Sequence, residues 1–196
     1  MEELIKEKII ELSKIYYSDE DYKHHILPVI KNALLLGRKL NADLEVVEVA
    51  AYLHDIGRVL EKKQFDKGDE KKDSHQITGA EEAQKILTGL GCNAEFTIKV
   101  EHCILAHRGS KDPKPETKEA EIIANADAMA HFDSSLVLFT LFFKKTNSFE
   151  DAIIKMEKTI DKDWNNKLTL AEAKEMVKNK YGAITLLLQS MKEYLK

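Results

Sequence analysis

Four side chains that commonly bind metal ions lie in apolar surroundings. His54 and Asp55 end a long apolar run just before Gly57, and Asp127 lies among alanine, isoleucine and methionine residues. A carboxylate at the carboxyl end of a helix opposes the helix dipole, and a buried carboxylate needs a partner. His25 lies near the start of another apolar segment. A bound cation would satisfy both aspartates. The alternatives are solvent exposure of Asp55, a salt bridge between Asp127 and a core lysine or a place for Asp127 on a water-facing stripe, and a core position for His25.

The elements that must position these side chains are helices, because apolar residues recur three and four apart along nearly the whole chain. No run alternates as a strand would, so the sequence predicts an all-α fold. Asp43 fits an N-cap and Gly57 a C′ glycine, while residues 58–73 and 108–116 are predicted loops. Helices are predicted over residues 2–17, 22–40, 43–57, 77–87, 94–107, 117–131 and 134–146, and two more after capping boxes at Ser148 and Thr169.

The composition indicates a folded protein and narrows its partners. The 196 residues are 43% hydrophobic and 33% charged, which excludes wholesale disorder. A net charge of −4 disfavours duplex nucleic acid as a partner, since such binding requires a basic face. The longest apolar run, residues 136–143, is too short to cross a bilayer and fits either the bundle core or a homodimer seam. The acidic N-terminus predicts a cytoplasmic protein with no membrane partner.

Three segments of the chain resemble the HD-domain superfamily of metal-dependent phosphohydrolases. They are His25-Ile26-x-x-Val29-x-x-x-Ala33, Ala50-Ala51-x-x-His54-Asp55-Ile56-Gly57 and Ala126-Asp127. The resemblance implies that His25, His54, Asp55 and Asp127 bind a divalent metal ion. It also implies an HD-type helical bundle with its core at about residues 20–135 and additional C-terminal helices at about 136–196, all within one domain spanning residues 1–196.

Two further histidines match segments that supply ligands in some members of this superfamily. Ser74-His75-x-x-x-Gly79-Ala80 and Ile104-Leu105-Ala106-His107 are the matching segments. The resemblance implies one metal ion, with His75 and His107 contacting substrate or lying at the surface, or alternatively two ions with Asp55 bridging them and these histidines binding the second. His102 competes with His107 for this role. The two residues are five apart on a helix, so their side chains point about 140° apart and do not easily face one site.

Arg58 follows the His-Asp doublet and Arg108 follows His107, in a chain with only three arginines. Guanidinium groups at these positions fit contacts with a substrate phosphate, although cations are also favoured at helix C-termini. The resemblance then implies hydrolysis of a phosphate ester or anhydride of a small molecule such as a nucleotide. In that reaction a metal-activated hydroxide attacks phosphorus, and Asp55 and Arg58 take part in catalysis. Histidine and aspartate ligands favour Mn²⁺, Fe²⁺, Co²⁺, Ni²⁺ or Zn²⁺ over Mg²⁺.

Departures from the superfamily patterns narrow the substrate. The Glu-Asp pair of guanosine tetraphosphate hydrolases is absent after the doublet, where the chain reads Gly-Arg-Val-Leu-Glu. The Gly-Tyr-Pro signature of the cyclic-dinucleotide branch is also absent, since Arg-Gly-Ser follows His107. Two other functions are compatible with the same residues: a di-iron oxygenase, and a non-catalytic module that senses a ligand.

Overall fold

The computed structural model describes residues 3–66, 74–109 and 112–195, and every regular element within these ranges is a helix. The predicted all-α fold is therefore confirmed. In chain order the elements are α1 (Glu3–Tyr16), α2 (Asp19–Asp21), a π-helical turn (Tyr22–Ile26), α3 (Leu27–Leu40), α4 (Leu44–Leu53), α5 (Ile56–Asp66), α6 (His75–Gly89), α7 (Ala94–Ala106), α8 (Lys118–Asp133), α9 (Ser135–Thr146), α10 (Phe149–Lys162), a second π-helical turn (Asp163–Lys167) and α11 (Ala171–Tyr194).

Helix α8 runs through the centre of the bundle, because its sequence is apolar or small on almost every side. Residues 122–130 are all buried, and the helix packs against α3, α4, α7 and α11. Its alanines allow these neighbours to approach closely, since interaxial distances depend on the side chains at the contact. Helix α8 therefore holds Asp127 at the centre of the molecule.

The turn after α4 differs from the predicted one. Helix α4 ends at Leu53, His54 and Asp55 form a tight turn, and α5 follows directly, so Gly57 lies inside a helix and terminates none. An alanine Cβ at Gly57 would lie 2.0 Å from the carbonyl oxygen of His75. The glycine is needed for the close contact between α5 and the start of α6, which brings His75 to the doublet.

The predicted loop at residues 58–73 is wrong in its first part, since α5 continues to Asp66. Residues 58–66 contain neither glycine nor proline, and their lysine, glutamate and glutamine are good helix formers. The remainder of that prediction, residues 67–73, lies outside the described residues. The second predicted loop joins α7 to α8, with residues 110 and 111 also outside the described part.

A buried amide fastens the start of α11 to α8. The Asn125 side chain accepts hydrogen bonds from the backbone N–H groups of Thr169 (3.0 Å) and Leu170 (3.1 Å) and donates to the Thr169 hydroxyl (2.9 Å). The predicted capping box at Thr169 is therefore wrong, because Leu170 occupies the N-cap position. Ser148 does cap α10 by accepting from the Asp151 N–H. The division into a core and a C-terminal extension stays a prediction.

Helix α9 carries the longest apolar run, but it does not lie in the bundle core. None of its residues is buried, and Leu136 is 77% exposed. A homodimer seam at this helix stays a prediction. Within the described residues no single helix has both the length and the apolar composition to cross a membrane. The pair α8 and α9 passes that test together, with a bend of 79° between them, and most of α8 is buried in the bundle.

Candidate metal centre

The predicted ligands converge from five separate elements. His25 lies on the first π-helical turn, His54 and Asp55 form the turn between α4 and α5, and Asp127 lies in the middle of α8. His75 begins α6 and His107 follows the end of α7. Helix α8 packs against the first π-helical turn, α4 and α7, and α6 packs against α5 and α7, so the fold brings all six side chains to one place.

Four of these side chains surround one position. The Nε2 atoms of His25 and His54 lie 3.2 Å apart, and His25 Nε2 lies 3.3 Å from Asp55 Oδ2 and 3.4 Å from Asp127 Oδ1. His54 Nε2 lies 3.8 Å and 3.9 Å from the same two oxygens. Donors about 2.1 Å from one shared ion stand roughly 3 to 3.5 Å apart. The first cluster, His25, His54, Asp55 and Asp127, therefore has the spacing of a metal site.

A second cluster shares Asp55. Its other oxygen, Oδ1, lies 3.6 Å from His75 Nε2 and 3.5 Å from His107 Nε2, and these two nitrogens are 3.2 Å apart. Asp55 Oδ1 is buried and accepts no hydrogen bond from any described group. A buried carboxylate oxygen is rarely left without a donor. The residues present therefore fit a cation at each oxygen of Asp55, with the carboxylate between the two clusters.

Backbone carbonyls set the orientation of two rings. His54 Nδ1 donates to the Ala51 carbonyl at 2.8 Å, and His107 Nδ1 donates to the Ile104 carbonyl at 2.6 Å. In a neutral ring the proton on Nδ1 leaves the Nε2 lone pair directed into the centre. Each histidine bonds the carbonyl three residues before it, so the helix ends themselves hold the rings ready to bind a metal ion.

Burial and neighbouring charges shift the pKa values of these groups. Burial lowers the pKa of His54 to about 4, and it lowers that of His75 to about 3 with help from the positive charge of Arg58. Burial raises the pKa of Asp55, but Arg58 and the histidines outweigh it and hold the pKa well below its ordinary value. For Asp127, burial is likewise outweighed, chiefly by Lys167, and the pKa is lowered. At neutral pH the centre therefore offers ionised carboxylates and neutral His54 and His75.

We expect the metal-free protein to lose stability in acid through His54. The unfolded chain protonates this histidine near pH 6.5, whereas the folded protein does so only near pH 4. The unfolded state therefore binds more protons between these values, and the free energy of unfolding falls as the pH decreases from about 6.5 to about 4, by on the order of 3 kcal/mol for this residue. Urea titrations of chelator-treated protein measure the effect. A His54→Gln variant with an equally steep decline would contradict it.

The competition between His102 and His107 has a geometric answer. His107 is fully buried beside Asp55, whereas His102 Nε2 accepts a hydrogen bond from the Glu116 N–H at 3.0 Å, away from the centre. This hydrogen bond uses the His102 nitrogen and holds the loop between α7 and α8. His107 is therefore the histidine of α7 that the fold brings to the site.

Both predicted phosphate-binding arginines lie at the rim of the centre. Arg58 Nε donates to Asp55 Oδ2 at 2.7 Å, and 56% of its side chain is exposed. Arg108 donates to the Gln76 side chain at 3.3 Å, and its charge helps lower the pKa of His75. The guanidinium of Arg58 contacts Asp55 and is also exposed to solvent. A group that binds an anion arriving at the centre needs both properties.

The sequence interpretation missed three residues of the site. His131 can complete a metal-binding group with His25 and Asp127. It lies four residues after Asp127 on α8, a spacing that places two side chains on one helix face and could have revealed it. Asp163 and Lys167 reach the centre from the second π-helical turn, where Lys167 Nζ lies 3.6 Å from Asp127 Oδ2. No local pattern marks them, because only the packing of this turn against α8 places them there.

Curated relatives share sequence with part of the chain. Ribonuclease Y of Borrelia garinii subsp. bavariensis is 32% identical over 131 residues, which is 65% of this chain and 22% of that protein. Ribonuclease Y of Thermosipho melanesiensis is 32% identical over 107 residues, covering 55% of this chain and 18% of the relative. The chain thus spans about a fifth of the length of these relatives.

Solved structures share the fold at lower sequence identity. Bacillus subtilis YpgQ, which has also been solved in complex with ADP, has a TM-score of 0.73 at 18% identity, covering 97% of this chain and 95% of that one. A predicted HD superfamily hydrolase from an uncultured Thermotogales bacterium has a TM-score of 0.64 at 21% identity, covering 97% and 92%. The fold is therefore that of HD-domain proteins.

The family model of the HD domain matches residues 22–131, a range that holds all six predicted ligands. This match covers more than half of the chain. The chain belongs to the HD domain family.

Proposed function

We propose that this protein is a metal-dependent phosphohydrolase whose centre is built from His25, His54, Asp55 and Asp127, with His75 and His107 as ligands of a second ion. The observation that carries the proposal is the buried Asp55 carboxylate, whose two oxygens face two separate groups of histidine nitrogens. Its Oδ1 atom has no hydrogen-bond donor among the described groups. A pair of divalent ions bridged by Asp55 would satisfy both oxygens.

The protein groups divide the work of the reaction between them. Divalent ions held here would lower the pKa of water and polarise the phosphoryl oxygens. The carboxylates of Asp55 and Asp127 supply negative charge that neutralises bound cations, and the carbonyl-anchored rings of His54 and His107 keep the donor set rigid. The Arg58 guanidinium, held against Asp55, is placed to donate to the oxygens of the reacting phosphoryl group as negative charge develops there.

A nucleotide is the substrate class that we infer. The ADP complex of Bacillus subtilis YpgQ supports this inference, because a related fold there binds a nucleoside diphosphate. The similarity to ribonuclease Y favours a second candidate, hydrolysis of phosphodiester bonds in RNA. Both substrates present phosphoryl oxygens to the same centre, so the two candidates differ in the bond that is cleaved.

The deciding experiment combines metal analysis with a substrate screen. Purified protein is first analysed for bound transition metals, then reloaded separately with Mn²⁺, Fe²⁺, Co²⁺, Ni²⁺, Zn²⁺ or Mg²⁺. Each form is tested for phosphate release from nucleoside diphosphates and triphosphates and for cleavage of short single-stranded RNA. Metal-dependent phosphate release supports the first candidate and RNA cleavage the second. Metal binding without turnover would favour the ligand-sensing alternative, and tight iron with oxygen uptake would favour the oxygenase.

The two histidines of α7 provide a matched pair of variants. We expect His107→Ala to reduce the metal content and to lower the rate by about a hundredfold or more, since it removes a ligand and breaks the second cluster. His102→Ala should keep the metal content and rate of the wild type, because its ring bonds the loop at Glu116. Metal analysis and steady-state kinetics measure both. Full metal content in the His107→Ala variant would exclude His107 as a ligand.

A further inference from the structure

A lysine from the C-terminal part of the chain lies at the edge of the centre. Lys167 Nζ is 3.1 Å from Asp163 Oδ1 and 3.6 Å from Asp127 Oδ2, the oxygen that does not face His25. Its side chain is 14% exposed. The residue lies beyond the part of the chain that matches the HD domain. A cation therefore touches the candidate metal centre from outside the family motif.

A buried carboxylate holds this lysine in place. Asp163 is 1% exposed, and its Oδ2 accepts a hydrogen bond from His131 Nδ1 at 2.6 Å. The His131 ring stacks on His25, with ring centroids 5.9 Å apart and planes 20° apart. Asp163 and Lys167 are the first and last residues of the second π-helical turn. Such turns are rare and often occur at functional sites, and the other π-helical turn of the described chain carries His25.

The positive charge of Lys167 does not by itself favour the binding of metal ions at the centre. The ammonium group of Lys167 is paired with the carboxylates of Asp163 and Asp127. A positive charge this close to Asp127 repels a cation bound by the same carboxylate. In the metal-free protein the two carboxylates balance this charge, and once cations occupy the centre the charge favours a bound anion. The charge of Arg58 also acts on Lys167, so two cations from different elements adjoin the centre.

We propose that Lys167 is an anion-binding residue that contacts the phosphoryl group at the centre. Lys167 belongs to the C-terminal part of the chain, whereas Arg58, the other proposed phosphate contact, follows the His54-Asp55 doublet. This inference rests on the proposed function for the identity of the anion. The Asp163 carboxylate holds the ammonium group, His131 holds Asp163, and 14% of the Lys167 side chain is exposed to solvent. A complete phosphate site then requires the segment that follows residue 131.

The test measures binding of inorganic phosphate to the manganese-loaded full chain by titration calorimetry, so that no turnover is needed. We expect Lys167→Gln to weaken phosphate binding about tenfold or more, because it removes a charge-assisted hydrogen bond. Manganese affinity should equal or exceed that of the wild type, since a repelling charge is lost. Lys167→Arg should retain most of the phosphate affinity. Lys162→Gln removes the same charge from an exposed position one turn earlier and should bind phosphate as the wild type does.

A second variant serves as a control for misfolding of Lys167→Gln, which leaves the buried Asp163 carboxylate without its cation. Asp163→Asn/Lys167→Gln removes the ion pair as a unit and should show the same weakening of phosphate binding. Unchanged phosphate affinity in either variant would overturn the proposal. Parallel losses of manganese and phosphate affinity would also overturn it, because they would indicate that Lys167 only orients Asp127. An absence of phosphate binding by the wild type would overturn it as well. Weakened phosphate binding in a protein without turnover would support Lys167 and refute the proposed hydrolysis.

Discussion

Asp55→Asn should abolish activity and leave neither cluster able to hold a metal ion tightly. Asp55 is the one residue shared by the two clusters, with Oδ2 facing His25 and His54 and Oδ1 facing His75 and His107. Metal ions supply several kcal/mol of transition-state stabilisation, and each 1.36 kcal/mol changes the rate tenfold, so we expect a loss of about a thousandfold or more.

Comparison with two other aspartates makes this test specific. Asp127→Asn removes a ligand of the first cluster alone, so it should retain more metal per chain than Asp55→Asn. Asp151→Asn changes an exposed residue on α10 and should match the wild type in metal content and rate. Metal analysis after dialysis and phosphate release measure these effects. If Asp55→Asn kept full metal content, the carboxylate would not lie between two ions and the proposed centre would be wrong.

The sequence predicted the inner part of the site because the environment of each residue was itself a signal. Asp127 lies between alanines in the buried stretch of α8, and Asp55 lies in the turn that follows another largely buried helix. A carboxylate in either place is unfavourable unless a cation accompanies it. This argument depends only on neighbouring residues and on helical periodicity, so it needs no knowledge of tertiary contacts. The fold brings both carboxylates together with the histidines, and their role as ligands stays a prediction.

The outer part of the site depends on contacts that periodicity does not encode. Lys167 reaches Asp127 because the second π-helical turn packs against α8, forty residues away in the chain. At Gly57 the sequence prediction was wrong. A glycine after an apolar helix is typical of a C′ position, but here the absence of a side chain allows close packing against α6. One residue type supports both explanations, and only the position of α6 distinguishes them.

Gly57→Ala should therefore destabilise the protein strongly and disturb the second cluster. The new Cβ would lie 2.0 Å from the His75 carbonyl oxygen and 2.6 Å from the backbone nitrogen of Gly79, so no side-chain rotation can relieve the clash. Helices α5 and α6 must separate. Overpacking costs typically 1–3 kcal/mol and sometimes more, and a clash against backbone lies at the upper end, so we expect a decrease of about 3 kcal/mol or more in the free energy of unfolding.

The same substitution at Gly182 isolates the clash from the effect of glycine on helix formation. Gly182 lies within α11, and a Cβ there meets no atom within 4 Å. Gly182→Ala should therefore stabilise the protein by about 0.5–1 kcal/mol, because alanine loses less backbone entropy in a helix than glycine does. Urea titrations of the two chelator-treated variants measure both changes in the free energy of unfolding. If Gly57→Ala proved as stable as Gly182→Ala and bound metal normally, α5 and α6 would not be in the close contact that places His75 beside Asp55.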